Sequence, residues 1–436
     1  MITSELTVPD DTASAGSAEA VPASDPRFDF YEEIAANFGT PFYLYDVEKI
    51  ERQIFSLRTL LPSPTRSRLL YSFKANPLPS VAAEMKRGGC VADLTSQGEV
   101  AAARDADFDL SAALYGGPGK SERELAFAIA SGIRNFSVES EHDLTHLAAS
   151  ATAAGVRVKA LLRINPLEAP KAKLAMSGVA SQFGFEEAEL RENGRRIVGR
   201  AGESVSVVGI HIYWGTQIGD VDALMECFSQ TVRIGEELSV QLGFPLEILN
   251  LGGGFPWPYS HVGEGPDLSP LRERLAALHA ESGAAKTAEW WFESGRYLAA
   301  SSGTLVSRVM DIKLSKDDKR FLILDTGIHH LGGMAGLGRI PRFSIDLETS
   351  GAAADSEEIT VDVVGPLCTP LDCIGRRISL PEPKVGDLVA VSNVGAYGPT
   401  ASVSNFLSRP APAEVTHRGT EILSAHCLKS GHTRLR

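Results

Sequence analysis

The sequence predicts an α/β protein, a (β/α)8 TIM barrel followed by a C-terminal all-β domain. Three observations carry that reading. Eight short apolar runs alternate with amphipathic helical stretches over about 250 residues, the order of a parallel sheet with helical crossovers. Polar residues capable of chemistry fall at the C-terminal ends of those runs, where barrels of this kind build their sites. From Ser301 onward, strand-like runs follow one another without helices between them.

The elements follow in order. The chain has 436 residues, too many for one ordinary domain. Residues 1–27, rich in Ser, Ala, Thr and acids, read as a disordered extension. They lack the basic start and apolar stretch of a secretory signal, and no run approaches a membrane span, so a cytoplasmic protein is expected. Residues 28–46, with Phe28, Phe30, Tyr31 and then Pro41-Phe-Tyr-Leu-Tyr45, read as strand that joins the later β domain. The barrel covers 47–300 and opens with a helix near Val47 to Leu60. Its strands are expected in Leu69 to Phe73, Cys90 to Leu94, Leu110 to Tyr115, Asn135 to Val138, Val156 to Ile164, Val205 to Ile212, Leu246 to Leu251 and Glu289 to Phe292. The spacings Ser96 to Glu99 and Ser121 to Glu124 predict capping boxes at two helix starts. The β domain, 301–436, is expected to use Gly303 to Leu314, Arg320 to Leu324, Arg342 to Leu347, Glu358 to Val364 and Asp387 to Asn393.

Composition narrows the function. With 43% hydrophobic and 22% charged residues the chain is an ordinary globular protein. A net charge of -13 argues against nucleic acid or an anionic membrane as partner. The five Cys form no CxxC pair, which fits a reducing compartment without disulfides or zinc. His329 and His330 are adjacent, with no third ligand at a helpful spacing, so no metal is expected.

Six strand ends carry candidate site residues. The first ends in Lys74, the second carries Asp93, the fifth ends in Arg163 and the sixth in His211. The seventh ends in Gly252-Gly-Gly254 and the eighth in Glu293-Ser-Gly-Arg296. A lysine at a buried strand end is costly unless paired or used, and desolvation lowers its pKa, which suits Schiff-base formation. By itself Lys74 reads more readily as a surface lysine past the strand. The glycine triplet is either a tight turn or a backbone cradle for phosphate. His211 is either a satisfied core histidine or a flat ring stacked on a planar cofactor. Cys368 and Tyr397 are each ordinary taken singly.

Taken together, the ordered motifs Tyr71-Ser-Phe-Lys74, Arg163-Ile-Asn-Pro166, Phe183-Gly-Phe185, His211 with Gly215-Thr-Gln217, Gly252-Gly-Gly-Phe255, Glu293-Ser-Gly-Arg296, Asp325-Thr-Gly-Ile-His329, Gly365-Pro-Leu-Cys368, Gly395-Ala-Tyr-Gly398 and Ser404-Asn-Phe-Leu-Ser-Arg-Pro410 resemble one family. It is the alanine-racemase-like group of pyridoxal-phosphate enzymes, in the branch of diaminopimelate, ornithine and arginine decarboxylases. The resemblance implies pyridoxal 5′-phosphate bound in the barrel, with Lys74 as its Schiff-base lysine. It implies that His211 stacks on the pyridine ring and that Thr216, Gly253, Gly254 and Tyr397 bind the phosphate. Asp93, Arg163 and Gly295 complete the cofactor set, and Glu293 pairs with the pyridine nitrogen. Arg296 contacts phosphate or substrate. Cys368 and Asp372, with Tyr397, contact substrate, the first two from the second subunit of a homodimer with shared sites. A carboxylate at the ring nitrogen favours the electron sink that decarboxylation needs, where racemases of this fold carry arginine. Cys368 then returns a proton to Cα.

Substrate choice departs from the diaminopimelate pattern. Thr369 follows the cysteine where those enzymes have glutamate, and Leu331-Gly-Gly-Met-Ala-Gly-Leu-Gly338 replaces their arginine and tyrosine. The Cys368 to Asp372 spacing looks like ornithine-type enzymes, and the whole pattern like the butirosin-type decarboxylase of a glutamyl group on an acyl carrier protein. The expected function is α-decarboxylation of an amino acid, free or carrier-bound, in specialised biosynthesis. Decarboxylation in primary metabolism, a racemase, a non-catalytic cofactor-binding protein and a phosphate-binding barrel without the cofactor are the alternatives.

Overall fold

The computed structural model describes residues 25–63, 65–167, 181–332, 344–350 and 357–434. At the start, the Asp25 carboxylate accepts the Arg27 N–H at 3.0 Å and Pro26 takes the first helical position, which opens α1 (Pro26–Phe38). Phe28, Tyr31, Ile34 and Ala35 are its buried face. Their three- and four-residue spacing is helical, so most of the segment expected as strand over 28–46 is a helix. Strand β1 (Phe42–Asp46) follows, then α2 (Val47–Leu60), capped by the Asp46 side chain.

The barrel strands are β2 (Ser67–Ser72), β3 (Val91–Leu94), β4 (Leu114–Tyr115), β5 (Asn135–Val138), β6 (Val158–Asn165), the two-residue β7 (Phe185–Glu186), β8 (Val205–His211), β9 (Ile248–Asn250) and β10 (Glu289–Ser294). Without β7, which adds to β6 from the side, eight described strands close in sequence order, all parallel, with β10 returning to β2. Each coincides with one of the eight apolar runs. Of the two expected capping boxes, Ser121 and Glu124 form one reciprocally, the side chains 3.2 and 3.1 Å from each other's N–H groups. At Ser96 only half forms, because the Glu99 carboxylate turns to the Thr95 N–H and hydroxyl.

Strand alternation then positions the site. Leu70, Leu114, Leu161, Val208, Ile248 and Trp291 form a separate apolar cluster, with Val91 against it. Sequence neighbours such as Leu69, Leu162 and Phe292 belong instead to the large core beneath the helices. Successive strand residues face opposite ways, so the separate cluster is the barrel's interior plug. Two residues further along five of these strands stand Ser72, Asp93, Arg163, Asn250 and Glu293. They occupy the same inner face one step nearer the C-terminal rim, where the plug gives way to a polar layer.

The second unit comprises β11 (Gly303–Leu314), β12 (Arg320–Leu324), β13 (Glu348–Thr349), β14 (Glu358–Val364), β15 (Cys373–Pro381), β16 (Leu388–Val391), β17 (Ala413–Arg418) and β18 (Glu421–Cys427). The main path runs β15-β14-β12-β11-β1-β17-β18, so the N-terminal β1 sits inside this sheet, antiparallel to β11 and parallel to β17. The α1 residues Phe28, Tyr31 and Ile34 pack on Phe42, Leu44, Val306, Leu388 and Val415. The sequence pattern does not mark β15, β17 or β18; most of β18 is exposed and lacks an apolar run. Of the run expected at 342–347, residues 342–343 lie outside the described residues and 344–347 are not strand. Residues 1–24 and the glycine-rich 333–338 also lie outside the described residues.

Phe42 is fully buried in the small cluster that joins α1 to the sheet. Phe42→Ala is expected to cost about 3–5 kcal/mol, read as a lower urea midpoint for unfolding of the β domain.

Candidate active site

Lys74 leaves β2 in a single tight turn, Phe73–Ala75. Its side chain stands in a cavity of about 540 Å³ at the C-terminal rim. Arg163, Tyr213, Thr216, Arg296 and Tyr397 line the same cavity, with the loop Gly116-Gly-Pro-Gly-Lys120 on another wall. A small recess adjoins it, sharing Lys74, Tyr213, Thr216, Arg296 and Tyr397 and adding Gly254, Glu293, Ser294 and Gly295. Residues far apart in sequence, Lys74, Arg163, Thr216, Gly254, Glu293, Gly295, Arg296 and Tyr397, therefore meet at one place.

The β domain completes the wall. The Tyr397 N–H donates to the Ala75 carbonyl at 2.6 Å, and the Asn76 side chain donates to the Gly395 carbonyl at 2.9 Å. The Arg296 guanidinium lies over two rings, 4.9 Å from Tyr259 and 4.8 Å from Tyr397. Its Nε is buried without a hydrogen-bond partner among the described residues, as is the Ser294 hydroxyl. Beside them runs the glycine turn, with Gly252 at φ 68° and Gly254 at φ 101°. A Cβ on Gly253 would stand 2.2 Å from the Glu293 carbonyl, so only glycine lets the chain pass there. Unpartnered donors beside a bare backbone turn are the features of an anion cradle.

Below this rim lies the polar layer. Glu293 accepts from the Asn250 side chain at 2.8 Å, and Asn250 in turn accepts the Gly252 N–H at 2.9 Å. The Ser72 hydroxyl donates to Asp93 at 2.7 Å. Burial and the nearby charge of Glu293 push Asp93 up to about 7, against the opposing pull of Lys74. Burial pulls the Lys74 pKa down, but the negative charge of Asp93, helped by Tyr213, Tyr397 and Glu293, more than offsets it. The net direction is upward, which corrects the expectation of an amine made more acidic by desolvation. Arg163 pairs with Glu139 at 2.8 Å and lies 4.6 Å from the Phe183 ring.

Three expected site residues, His211, Asp372 and Cys368, lie outside the lining of this chain's cavity. His211 is buried, its Nδ1 2.8 Å from the Ser137 hydroxyl and its Nε2 3.2 Å from Glu293. Burial, with the cations of Arg163 and Lys74, holds its pKa well below the usual range, so it is a neutral ring. Among the described residues that line the cavity, the ring facing Lys74 is Tyr213, at 5.4 Å from Nζ. Asp372 is 3% exposed, and its two oxygens accept the N–H groups of Ile328 and Leu367 at 2.8 Å each. A Cβ on Gly365 would stand 2.4 Å from that carboxylate. Asp372 thus anchors two loops of its own chain. Cys368, on the loop it anchors, is exposed and stands apart from the lining of the same chain's cavity.

Sequence reasoning missed Tyr213, Tyr259 and Asn250. Asn250 had a signal: it stands two residues beyond Ile248 on the inner face, inside a run read only as apolar strand. Tyr213 follows the strand's end, where alternation no longer reports direction.

Residues 47–300 match the family described as pyridoxal-dependent decarboxylase, pyridoxal binding domain. The chain belongs to the pyridoxal-dependent decarboxylases. The decarboxylase is 34% identical over 391 residues to the L-glutamyl-[BtrI acyl-carrier protein] decarboxylase of Niallia circulans, covering 88% of this chain and 90% of that one. It is 30% identical over 389 residues to the diaminopimelate decarboxylase of Aquifex aeolicus, covering 88% of each. The crystal structure of diaminopimelate decarboxylase from Helicobacter pylori complexed with L-lysine superposes with a TM-score of 0.77 at 26% identity, over 91% of this chain and 95% of that one. The fold is that of the group, and the cofactor of the decarboxylase is pyridoxal phosphate. The unpartnered Arg296 and Ser294 atoms at the glycine turn, with a lysine and a carboxylate in the same recess, fit it.

An amine attacks an aldehyde only when neutral. Asp93→Asn removes the charge that holds the Lys74 proton on, so burial should then dominate and the lysine pKa should fall. The pH at which added pyridoxal phosphate is captured at half its maximal rate, followed by absorbance, is expected to move down relative to the parent.

Proposed function

We propose that the decarboxylase removes the α-carboxylate of an amino acid presented free or as an acyl group on a carrier protein, in specialised biosynthesis. The observation that carries the reaction class is that Lys74 and Glu293 line one recess with the glycine turn and Arg296. Bound pyridoxal phosphate supplies an electron sink for the pair left behind when CO2 departs.

The residues divide the work. Lys74 anchors the cofactor covalently. Thr216, Gly253, Gly254, Arg296 and Tyr397 hold its phosphate, using the buried donors described above. Glu293, fixed by Asn250, faces the ring nitrogen and keeps its proton in place. Asp93 and Arg163 set the charge around Lys74. Cys368, exposed on its own subunit, is delivered to the cavity of a second copy, where it donates a proton to Cα. A homodimer with shared sites follows from that placement. The carrier-bound substrate is supported by the relative from Niallia circulans and by Thr369 standing where a distal-reading glutamate is expected. The Aquifex aeolicus relative supports diaminopimelate as the second reading.

Lys74→Ala is expected to lose the yellow absorbance of bound cofactor and to lower turnover by at least about 10³-fold, with circular dichroism showing an intact fold. Full activity in that variant would overturn the assignment. A screen for CO2 release should show turnover of glutamyl-carrier protein well above free glutamate, ornithine, arginine or diaminopimelate. Fast release from free diaminopimelate would favour the second reading.

A further inference from the structure

Lys120 ends the loop Gly116-Gly-Pro-Gly-Lys120 that walls the cavity, yet its side chain is only 2% exposed. An ammonium has three protons to donate. Here all three are used, on the Gly117 carbonyl at 2.6 Å, the Ser137 carbonyl at 2.9 Å and the Asp143 carboxylate at 2.7 Å. The first tie folds the glycine loop back on itself, and the second fastens it to β5. The third leads further. The same Asp143 oxygen accepts the Glu139 N–H at 2.9 Å. The Glu139 carboxylate takes Arg163 at 2.8 Å and the Gly184 N–H at 3.1 Å. One buried ammonium thus joins the glycine wall to the wall formed by Arg163 and Phe183.

We infer that Lys120 is a positioning residue for the cofactor cavity, which braces the Gly116–Gly119 wall at a fixed place relative to Arg163. The inference rests on the proposed places of the cofactor at Lys74 and of Arg163 beside it. The loop needs a brace because packing does not supply one. Pro118 and Gly119 are exposed, Gly117 sits at φ 111°, and a Cβ on Gly119 would meet nothing within 4 Å. A wall that must be ordered as the cofactor enters spends binding energy on that ordering, and a wall held beforehand does not. Charge neutralisation needs only the Asp143 carboxylate. The ties to the two carbonyls are what hold the loop, and a compact ammonium with three donors suits that junction.

The test uses the holoenzyme. Release of pyridoxal phosphate on dilution is timed by absorbance, and the visible circular dichroism of the bound cofactor is recorded. Lys120→Met and Asp143→Asn break the same buried ion pair, so both should lower Tm. Only the first cuts the ties to the Gly117 and Ser137 carbonyls, and asparagine can still accept the Glu139 N–H. Lys120→Met is expected to release cofactor about tenfold faster and to lose most of the dichroism. Asp143→Asn should keep the release rate to within about threefold of the parent's. The double variant Lys120→Met/Asp143→Asn leaves no unpaired charge at the junction, so its Tm should rise above that of Lys120→Met while the fast release remains. It also stands in for Lys120→Met should that variant not fold. Release and dichroism like the parent's in the double variant, or equal losses in Asp143→Asn and Lys120→Met, would overturn the inference. A coloured, active Lys74→Ala protein would instead overturn the proposed function, so the two failures are distinguishable.

Discussion

Everything at the site depends on one contact between the two units. The Tyr397 N–H meets the Ala75 carbonyl one residue beyond Lys74, and Asn76 reaches back to Gly395. These bonds tie a loop of the β domain to the turn that carries the lysine. Tyr397 holds φ at 55°, a conformation side chains rarely adopt, and the bond to Ala75 helps keep it there. Tyr397 then stands 4.8 Å from the Arg296 guanidinium, and Arg296, with its unpartnered Nε, lines the same recess as Gly254. The barrel supplies the lysine and the carboxylates; the β domain adds the Tyr397 ring beside the guanidinium.

The electrostatics follow from that enclosure. A buried ammonium is tolerated because two carboxylates on the inner polar layer face it. Two carboxylates so close cannot both ionise without cost, so burial and mutual repulsion raise Asp93 while Lys74 holds its proton. His211 stays neutral in the same surroundings, which leaves Glu293 hydrogen-bonded but not neutralised by a cation from that side. The result is a layer in which the charges of Lys74 and Asp93 set each other's proton affinity.

The strand ends were legible because a charged residue closing an apolar run is costly to bury unless it is paired or used, and Lys74, Arg163 and Glu293 each close one. Asp93 was legible for the same reason. Direction was not. Asp372 lies four residues from Cys368, and that spacing says nothing about the Ile328 and Leu367 amides that claim its carboxylate. Position 213 lies past the last hydrogen-bonded strand residue, where the loop path decides which ring faces inward. The helix α1 carried its own signal, since Phe28, Tyr31 and Ile34 recur every three residues, but its place next to a true strand hid it. Exposed β18 lacks the apolar run that marks a buried strand.

The placement of β1 has a consequence for synthesis. This strand is made near the start of the chain, yet one of its two neighbours in the sheet is β17. At elongation rates of roughly 5–20 residues per second, β1 waits on the order of 20–70 s for that neighbour. During this interval Phe42, Tyr43 and Leu44 can pair with β11 once it is made, but the edge that faces β17 stays open. The β domain therefore closes last, around a strand that has waited longest, and its closure carries Tyr397 to the lysine. A chain halted before residue 413 would hold β1 paired on one side by β11 and open on the other, an apolar sheet edge of the kind that chaperones retain.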